Sequence, residues 1–440
     1  MALVAQTLLL SLKKSISMIW LYRILFVPAF VLMFPYYAMR MLRRGGYAKD
    51  FSHRFGLMPK LPPKTKEKKR IWLQAVSVGE VDAVMPLVRK LNATEKYEVV
   101  ITTTTSTAYA LLNNKYANDC FVKAIFPIDF FLFSILAWNK IQPDIALLME
   151  GEVWPEHLHQ AKKRNVPTML VNARLSDRSF GRYVKVAMLA RRLFNKFAKI
   201  CVSNDADLKR FAKLGIDNQK LYLTGNIKFD TPASSVSEDE KNAIRAELGF
   251  DEKSFVLLGS STWSGEEKML VRAMENLRAK GLDCRLLLIP RHAERRNEVI
   301  PEIQNHKHCV RTQQKQADAG TLIYLADTTG ELRMLTSVAD LVFVGKSLFN
   351  HDGGQSPIDA AAAGVAIVYG NNMTNFKLIC KSLEKAGASR RVLNEAEALA
   401  QIELLALSPK ERKLMAECAK KWHSENAGAT DKTIAQILNI

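Results

Sequence analysis

The chain has 440 residues, of which 48% are hydrophobic and 24% charged, and its formal net charge is +19. This length favours two or three domains, and this composition is that of a globular protein with a substantial core. Six scattered cysteines without a CxxC pair argue against a disulfide framework and a zinc site, and they favour a reducing compartment. The excess of basic residues indicates an anionic partner (nucleic acid, anionic lipid or a phosphorylated substrate), unless it only makes the surface basic.

The N-terminal segment is predicted to attach the protein to a membrane. Ile24 to Met39 is 16 residues long without a charge, and extension back to Ile16 gives 24 residues that include Arg23. A helix that spans a bilayer needs roughly 20 apolar residues. Pro28 and Pro35 weaken a straight span, so an interfacial helix remains the alternative. Basic residues flank the segment on both sides, and those that follow it favour a cytoplasmic body: Lys13, Lys14, Arg40, Arg43, Arg44 and Lys49.

After a basic, proline-containing linker at 60–70, short apolar runs alternate with helix-like segments. The pattern predicts parallel doubly wound sheets in two consecutive Rossmann-like units, joined by a linker at 225–240 and facing a shared cleft. Ligands of such folds bind at the carboxyl ends of strands. The predicted strands are 71–75, 98–102, 121–126, 145–149, 168–172 and 200–203, then 255–259, 285–289, 321–325, 341–344 and 365–369.

Acidic residues follow two of the predicted strands. Glu80 comes after the first strand, at the start of a helix, and is either a general base or an acid that the helix dipole stabilises. Glu150 and Glu152 end the strand 145–149, beside a tryptophan and a proline. Two acids at one strand end form a metal site, a base with its orienting partner, or an ordinary helix start.

Basic residues, and turns that expose backbone N–H and C=O groups, follow other strands. Lys228, in the predicted linker, either neutralises phosphate charge or is a plain hinge lysine. Arg291, which follows Pro290 at the end of the strand 285–289, has the planar fork that suits a phosphate or a carboxylate. Thr329, Gly330 and Glu331 open a helix and present backbone groups to a base or a ribose.

A glycine loop at 353–354 follows the strand 341–344. Ser356 is predicted to cap the next helix, with Pro357 and Asp359 in the first turn. Unpaired N–H groups at such a turn suit a phosphate, and Asp359 is placed to bind a ribose hydroxyl. An ordinary strand-to-helix turn is the alternative, because a lone glycine loop is a weak signal.

Seven motifs, taken together and in this order, resemble the 3-deoxy-D-manno-octulosonic acid (Kdo) transferase family of lipopolysaccharide synthesis. The resemblance extends from the N-terminal segment to about residue 390. The motifs are SVGEV at 77–81, EGEVWP at 150–155, NARLSDRSFGRY at 172–183, GNIKFD at 225–230, IPRHAER at 289–295, DTTGEL at 327–332 and GGQSPIDAAAAG at 353–364.

The resemblance implies a GT-B glycosyltransferase, with two Rossmann-like domains, on the cytoplasmic face of the inner membrane. Members move Kdo from CMP-Kdo to a lipid A precursor with inversion and without a required metal or other cofactor. Glu80 would be the general base, and Glu150 and Lys228 would support the transition state. The implied nucleotide-binding residues are Pro290, Arg291, Thr329, Gly330, Glu331, Ser356, Pro357, Ile358 and Asp359.

The implied domains are a membrane anchor at 1–45, an acceptor-binding domain at 46–226 and a CMP-sugar-binding domain at 227–440, whose last helix crosses back. The sequence departs from the usual GGHNPLEPA-like loop at Gln355, Ser356 and Asp359, and from a usual glycine at Lys346. Two alternatives stay open: a transferase that uses another CMP- or UDP-sugar, and a non-catalytic protein that binds membranes or nucleic acid. Aromatic residues are not interleaved with the basic ones, which argues against nucleic acid as a partner.

Overall fold

The chain forms two compact α/β units. A computed structural model describes residues 18–43, 49–230 and 236–440. The N-terminal unit comprises Met1–Thr231 together with Gly428–Ile440, and the C-terminal unit comprises Pro232–Ala427. Each unit contains one seven-stranded parallel sheet, which confirms the predicted doubly wound fold class. Part of the predicted linker, at 231–235, lies outside the described residues, as do Lys13, Lys14 and Arg44.

The sheet of the N-terminal unit has the strand order β3-β2-β1-β4-β5-β6-β7. Every residue of β2 and β4 is buried, because helices cover both faces of a parallel sheet. The strand β7 has three residues and was not predicted. The strands are β1 (Lys69–Gln74), β2 (Tyr97–Thr103), β3 (Val122–Ile125), β4 (Ile145–Met149), β5 (Thr168–Ala173), β6 (Lys199–Val202) and β7 (Leu221–Leu223).

Helices alternate with these strands, and polar side chains fix several of their starts. The side chains of Thr105 and Asn204 accept hydrogen bonds from backbone N–H groups of the first turns that follow them. The helices are α1 (Met18–Arg43), α2 (Val78–Ala93), α3 (Ser106–Asn114), α4 (Phe131–Ile141), α5 (Pro155–Lys163), α6 (Asp177–Lys185), α7 (Ala187–Phe194) and α8 (Asp205–Lys213).

Helix α1 contains the predicted membrane segment. It is continuous through Pro28 and Pro35, and by length and composition its stretch Ile19–Tyr36 is apolar enough to cross a bilayer. Most of the large side chains that the structure describes in this helix are exposed, including Leu32 and Phe34. The structure thus contains the predicted apolar N-terminal helix.

The sheet of the C-terminal unit has the order β10-β11-β9-β8-β12-β13-β14. Its strands are β8 (Phe255–Thr262), β9 (Cys284–Pro290), β10 (His308–Val310), β11 (Ile323–Leu325), β12 (Leu341–Val344), β13 (Ala366–Gly370) and β14 (Arg390–Val392). Strands β10 and β14, three residues each, were not predicted. Its helices are α9 (Glu238–Glu247), α10 (Glu266–Ala279), α11 (Arg296–Ile303), α12 (Leu332–Thr336), α13 (Ile358–Ala363), α14 (Lys377–Lys385), α15 (Glu395–Leu407) and α16 (Pro409–Asn426).

The last helix, α17 (Ala429–Leu438), belongs to the N-terminal unit. Ala429 and Ile437 are 1% exposed and lie in the same hydrophobic core as the apolar face of α2. The carboxylate of Asp230 accepts hydrogen bonds from the backbone N–H groups of Gly428, at 2.5 Å, and Thr430. The chain therefore enters and leaves the C-terminal unit at neighbouring points.

Candidate functional site

The first group of predicted site residues lies where the strand order of the N-terminal sheet reverses. Strands β1 and β4 are neighbours in the sheet, with Gln74 beside Leu148. Chain connections leave these two strands in opposite directions, which opens a crevice at their carboxyl ends. Glu80 follows β1 and Glu150 follows β4, so the sheet brings together two acids that are far apart in the sequence.

Glu80 is the third residue of α2 and is half-buried. Its carboxylate accepts hydrogen bonds from the Val76 backbone N–H, at 2.8 Å, and from the Ser77 hydroxyl, at 3.1 Å. Burial, with a contribution from the charge of Glu150, raises the pKa of Glu80 above its ordinary value. The contacts at the helix start orient the carboxylate, and a raised pKa is the property that a general base needs.

Glu150 and Lys228 form an ion pair beside Glu80. The Lys228 Nζ lies 2.7 Å from the Glu150 Oε1. Glu150 has a φ of 53°, a left-handed conformation that is costly for a residue other than glycine and is common at functional sites. Lys228 lies in a short 3₁₀ helix, Ile227–Asp230, whose first residue donates its backbone N–H to the buried side chain of Asn172. Two strand ends and this helix thus hold the pair in place.

Glu152 joins these residues, although it was not among the predicted catalytic set. Burial, together with the charges of Glu80 and Glu150, raises its pKa to about 7. Its Oε2 atom is buried, and an interaction with the Trp154 side chain partly offsets the rise in its pKa. We call Glu80, Glu150, Glu152 and Lys228 the acid–lysine cluster. Within the described ranges, no group of three or more His, Cys, Asp or Glu residues is arranged to hold a metal ion.

The predicted nucleotide-binding residues lie on turns at the carboxyl ends of strands in the C-terminal unit. Pro290 ends β9, and the exposed Arg291 donates its backbone N–H to the Thr262 carbonyl, at 3.1 Å, at the end of β8. Thr329 and Gly330 are exposed, and Gly330 has a φ of 91° that favours glycine. The Pro290–Arg291 turn is therefore tied to β8, next to the reversal of strand order between β8 and β12.

Two predicted acids of this unit are bound by arginines that sequence reasoning missed. Glu331 accepts two hydrogen bonds from Arg311, at 2.7 and 2.6 Å, and Asp359 accepts one from Arg333, at 2.8 Å. Arg333 lies on α12 and Asp359 on α13, so this ion pair joins the Thr329–Glu331 turn to the Ser356–Asp359 turn. No sequence spacing signals these pairings, because the partners are brought together by the fold.

The glycine loop differs in detail from the prediction. The N-cap of α13 is Pro357 and not Ser356, although the Ser356 hydroxyl accepts a hydrogen bond of 3.3 Å from the Ile358 N–H. The predicted Ser356 cap is wrong because the helix begins one residue later, at Ile358. Gly354 has a φ of 67°, and a Cβ there would come within 2.3 Å of the Met373 sulfur. Only glycine fits that position.

A buried acid that the sequence analysis did not identify holds the loop that follows β12. The Glu266 carboxylate accepts hydrogen bonds from four backbone N–H groups, three of them in that loop, at distances of 2.7 to 3.1 Å. Lys346, which replaces a usual glycine, has a φ of 54° in this loop. The three hydrogen bonds in this loop offset the cost of a left-handed lysine.

The fold matches solved structures of nucleotide-sugar enzymes. The structure of UDP-GlcNAc 2-epimerase from Neisseria meningitidis bound to UDP-GlcNAc is 12% identical and has a TM-score of 0.60, covering 84% of this chain and 100% of that one. At this identity the match shows the fold alone. Together with the two parallel sheets, it defines the class of GT-B-type proteins with two Rossmann-like units.

The family follows from the sequence relatives. A family model described as 3-Deoxy-D-manno-octulosonic-acid transferase (kdotransferase) matches residues 49–231. The 3-deoxy-D-manno-octulosonic acid transferase of Haemophilus influenzae is 30% identical over 405 residues, 91% of each chain. That of Bordetella pertussis is 31% identical over 374 residues, 83% of this chain and 86% of the relative.

The chain therefore belongs to the Kdo transferase family. It is a glycosyltransferase that transfers Kdo in lipopolysaccharide biosynthesis. This membership excludes the alternative of a non-catalytic protein that uses its positive charge only to bind a surface.

Proposed function

We propose that the protein transfers Kdo from CMP-Kdo to a lipid A precursor (lipid IVA) with inversion, and that Glu80 is the general base. The observation that carries the proposal is the acid–lysine cluster at the reversal point of the N-terminal sheet, with the raised pKa of Glu80. A carboxylate with such a pKa accepts a proton near neutral pH more readily than an ordinary glutamate.

The proposed chemistry is a single displacement. A hydroxyl oxygen of the acceptor sugar attacks the anomeric carbon of Kdo, while the bond from that carbon to the CMP phosphate oxygen breaks. The hydroxyl proton passes to Glu80, and the leaving group departs as CMP. Because attack and departure take place on opposite faces of the carbon, its configuration inverts. Glu150 and Lys228 support the transition state, since their ion pair fixes a cation beside the base.

The C-terminal unit is proposed to bind the nucleotide of CMP-Kdo. Arg291 is exposed at the end of β9 and suits the phosphate. The turn Thr329–Glu331 contacts the base or ribose through backbone groups. The Asp359 carboxylate accepts a hydrogen bond from a ribose hydroxyl, and Arg333 holds this carboxylate in place. The proposed nucleotide site also includes Pro290, Ser356, Pro357 and Ile358.

No metal is required in this proposal, because cationic side chains offset the charge on the departing CMP phosphate. The acceptor is anionic and lies in a membrane, and a net charge of +19 raises its concentration at the protein surface. We place the protein on the cytoplasmic face of the bacterial inner membrane, attached through α1, with membrane lipids but no nucleic acid as partners.

The test is incubation with CMP-Kdo and tetraacyl lipid A precursor, followed by mass spectrometry of the lipid. We expect products heavier by whole Kdo units from CMP-Kdo, and none from UDP-sugars. Transfer from a UDP-sugar would support the alternative donor instead.

Glu80→Gln tests the base within the same assay. The amide keeps the size of the side chain and cannot accept the proton, so we expect a folded protein with transfer reduced at least about 100-fold. Circular dichroism and CMP binding serve as controls of the fold and of donor binding. Near-normal turnover by this variant would remove Glu80 as the base.

A further inference from the structure

Helix α1 is clamped to the globular part of the N-terminal unit near its start. The Arg23 guanidinium forms two 2.8 Å hydrogen bonds with Glu156, the second residue of α5. The Glu156 side chain is fully buried, and that of Arg23 is 15% exposed. The Tyr22 hydroxyl donates a 2.7 Å hydrogen bond to the buried Asp129. Such a buried ion pair is not compatible with an Arg23 surrounded by lipid.

The clamp involves one face of α1 and ends halfway along the helix. Ile19, Tyr22, Arg23, Phe26 and Phe30 are at least partly buried, with the spacing of one helix face. The Phe26 ring stacks on Phe130 at 5.8 Å. From 31 to 36 every residue is exposed. The stretch 31–36 of α1 therefore extends beyond the globular unit and exposes apolar side chains.

The chain returns to the same unit soon after α1 ends. The Tyr109 hydroxyl donates a 2.8 Å hydrogen bond to Asp50, and the buried Arg54 donates to the carbonyls of Phe126 and Thr104. The helix ends at Arg43. Six Cα–Cα virtual bonds separate Arg43 from Lys49, the next described residue. Six such bonds reach at most about 21 Å.

With its first half held against the globular unit, the rest of α1 is too short to cross a bilayer. The extended half, 31–43, has about 13 residues and a length of roughly 20 Å, whereas the hydrocarbon core is about 30 Å thick. If Arg43 lay on the far side, 44–48 would have to recross the whole core. In the sequence, basic residues follow the apolar stretch, and basic residues favour lipid head groups over hydrocarbon.

We propose that α1 is a one-sided anchor: it lies in one face of the bilayer, and both of its ends are on the side of the globular unit. The inference rests on the membrane attachment proposed above and settles the choice that the sequence left open. An apolar surface of the unit continues from α1. Aromatic contacts of 5.1 to 5.8 Å connect Phe26 through Phe130 and Phe133 to Phe55, and Leu132 and Leu136 of α4 are exposed beside them.

Tags at the two ends of the full-length protein test the topology. Right-side-out and inverted membrane vesicles are treated with protease, and each tag is detected separately after transfer activity of the tagged protein has been confirmed. We expect both tags to be cleaved in inverted vesicles and both to be protected in right-side-out vesicles. Cleavage of the N-terminal tag only in right-side-out vesicles, with the C-terminal tag cleaved only in inverted ones, would overturn the one-sided anchor.

A second measurement tests the apolar surface on α4. In flotation with vesicles that contain anionic phospholipid, Leu132→Ser with Leu136→Ser is expected to lower the bound fraction at least threefold. The control pair, Leu404→Ser with Leu407→Ser, changes similarly exposed leucines in the C-terminal unit and leaves the bound fraction unchanged. Equal effects of the two pairs would remove α4 from the contact. If the unaltered protein did not float at all, both this inference and the proposed membrane attachment would fail, although Kdo transfer would remain testable in detergent.

Discussion

Burial of Glu80 and the charges around it set the pH at which it can act as a base. Burial and Glu150 raise its pKa, and Lys228 lowers it. Because the base is active only when ionised, activity is expected to fall as pH decreases through this raised pKa. Glu150→Gln removes a charge that raises the pKa and is expected to move the acid limb of the log(kcat/KM) profile to lower pH. Lys228→Met removes a charge that lowers it and is expected to move the limb to higher pH.

Opposite shifts in the two variants would follow only if the group that titrates is close to both charges. Parallel shifts, or an unmoved acid limb with reduced rates, would mean that another group limits activity at low pH. The pH dependence of the CMP dissociation constant is measured beside each profile, because it separates an effect on donor binding from an effect on the base.

Arg291 provides a second test at the level of single residues. Its side chain is exposed and makes no hydrogen bond or ion pair among those described, so its loss should not disturb the fold. If its guanidinium binds the CMP phosphate, Arg291→Ala is expected to weaken CMP binding by about 1.5–3 kcal/mol, roughly 10- to 100-fold. Isothermal titration calorimetry with CMP measures this directly, and an unchanged dissociation constant would contradict the assigned role.

Residues at strand ends were predictable, but their partners were not. Glu80, Glu150 and Lys228 were identified because each belongs to a motif that follows a predicted strand or linker, and the fold brings them together. The spacing of Arg311 and Glu331 in the sequence carries no such signal, since a sheet register decides which turns are neighbours. The conformation of Lys346 was equally hidden, because its left-handed backbone depends on hydrogen bonds to Glu266.

At the level of elements, Arg311 connects three parts of the C-terminal unit. Its side chain is 3% exposed and donates to Glu331 on the turn before α12, to Glu247 at the end of α9 and to the hydroxyl of Tyr324 in β11. Arg311→Met leaves two carboxylates without their buried partner, and loss of one side of a buried pair costs about 3–5 kcal/mol. We expect a large fall in the thermal stability of this unit.

Arg333→Met is the matched control for that experiment. Arg333 is 42% exposed and, among the described residues, forms an ion pair only with Asp359, so its removal is expected to cost less than about 1 kcal/mol. Denaturant unfolding monitored by fluorescence compares the two variants. If Arg333→Met destabilised the protein as much as Arg311→Met, burial would not be the cause of the difference that we expect.

Long apolar runs made most strands predictable. Strands β4 and β12 have the bounds that their uninterrupted apolar sequences indicate, 145–149 and 341–344. The strands that were missed, β7, β10 and β14, have three residues each and lie at or next to a sheet edge. In a run of three residues, the alternation of apolar and polar side chains that marks a strand cannot be distinguished from chance. Such short strands form because they pair with a neighbouring strand, and the local sequence does not show this pairing.

At the scale of the whole molecule, the N-terminal unit depends on residues from the opposite end of the chain. Helix α17 contributes Ala429 and Ile437 to its core, and the ammonium of Lys199 binds the carbonyls of Gln436 and Asn439. The sequence only hinted that the last helix crosses back. The apolar face of a single helix shows that it packs on something and does not show on which unit it packs.

A chain that ends at Ala427 tests this dependence. Loss of Ile437 alone removes about 2–3 kcal/mol of burial, and Asp230 also loses two backbone donors. For a unit of this size we expect its melting temperature to fall by roughly 6–12 °C. Differential scanning calorimetry measures the size of this shift. In hydrogen exchange, we expect the backbone amides of β1, β2 and β4 to lose protection and those of the C-terminal sheet to keep theirs. Asp431→Ala removes an exposed contact with Lys90 and an acidic residue from the first turn of α17, and it should shift melting by less than about 3 °C. An equal loss of protection in both sheets of the truncated chain would show that α17 does not serve the N-terminal unit alone.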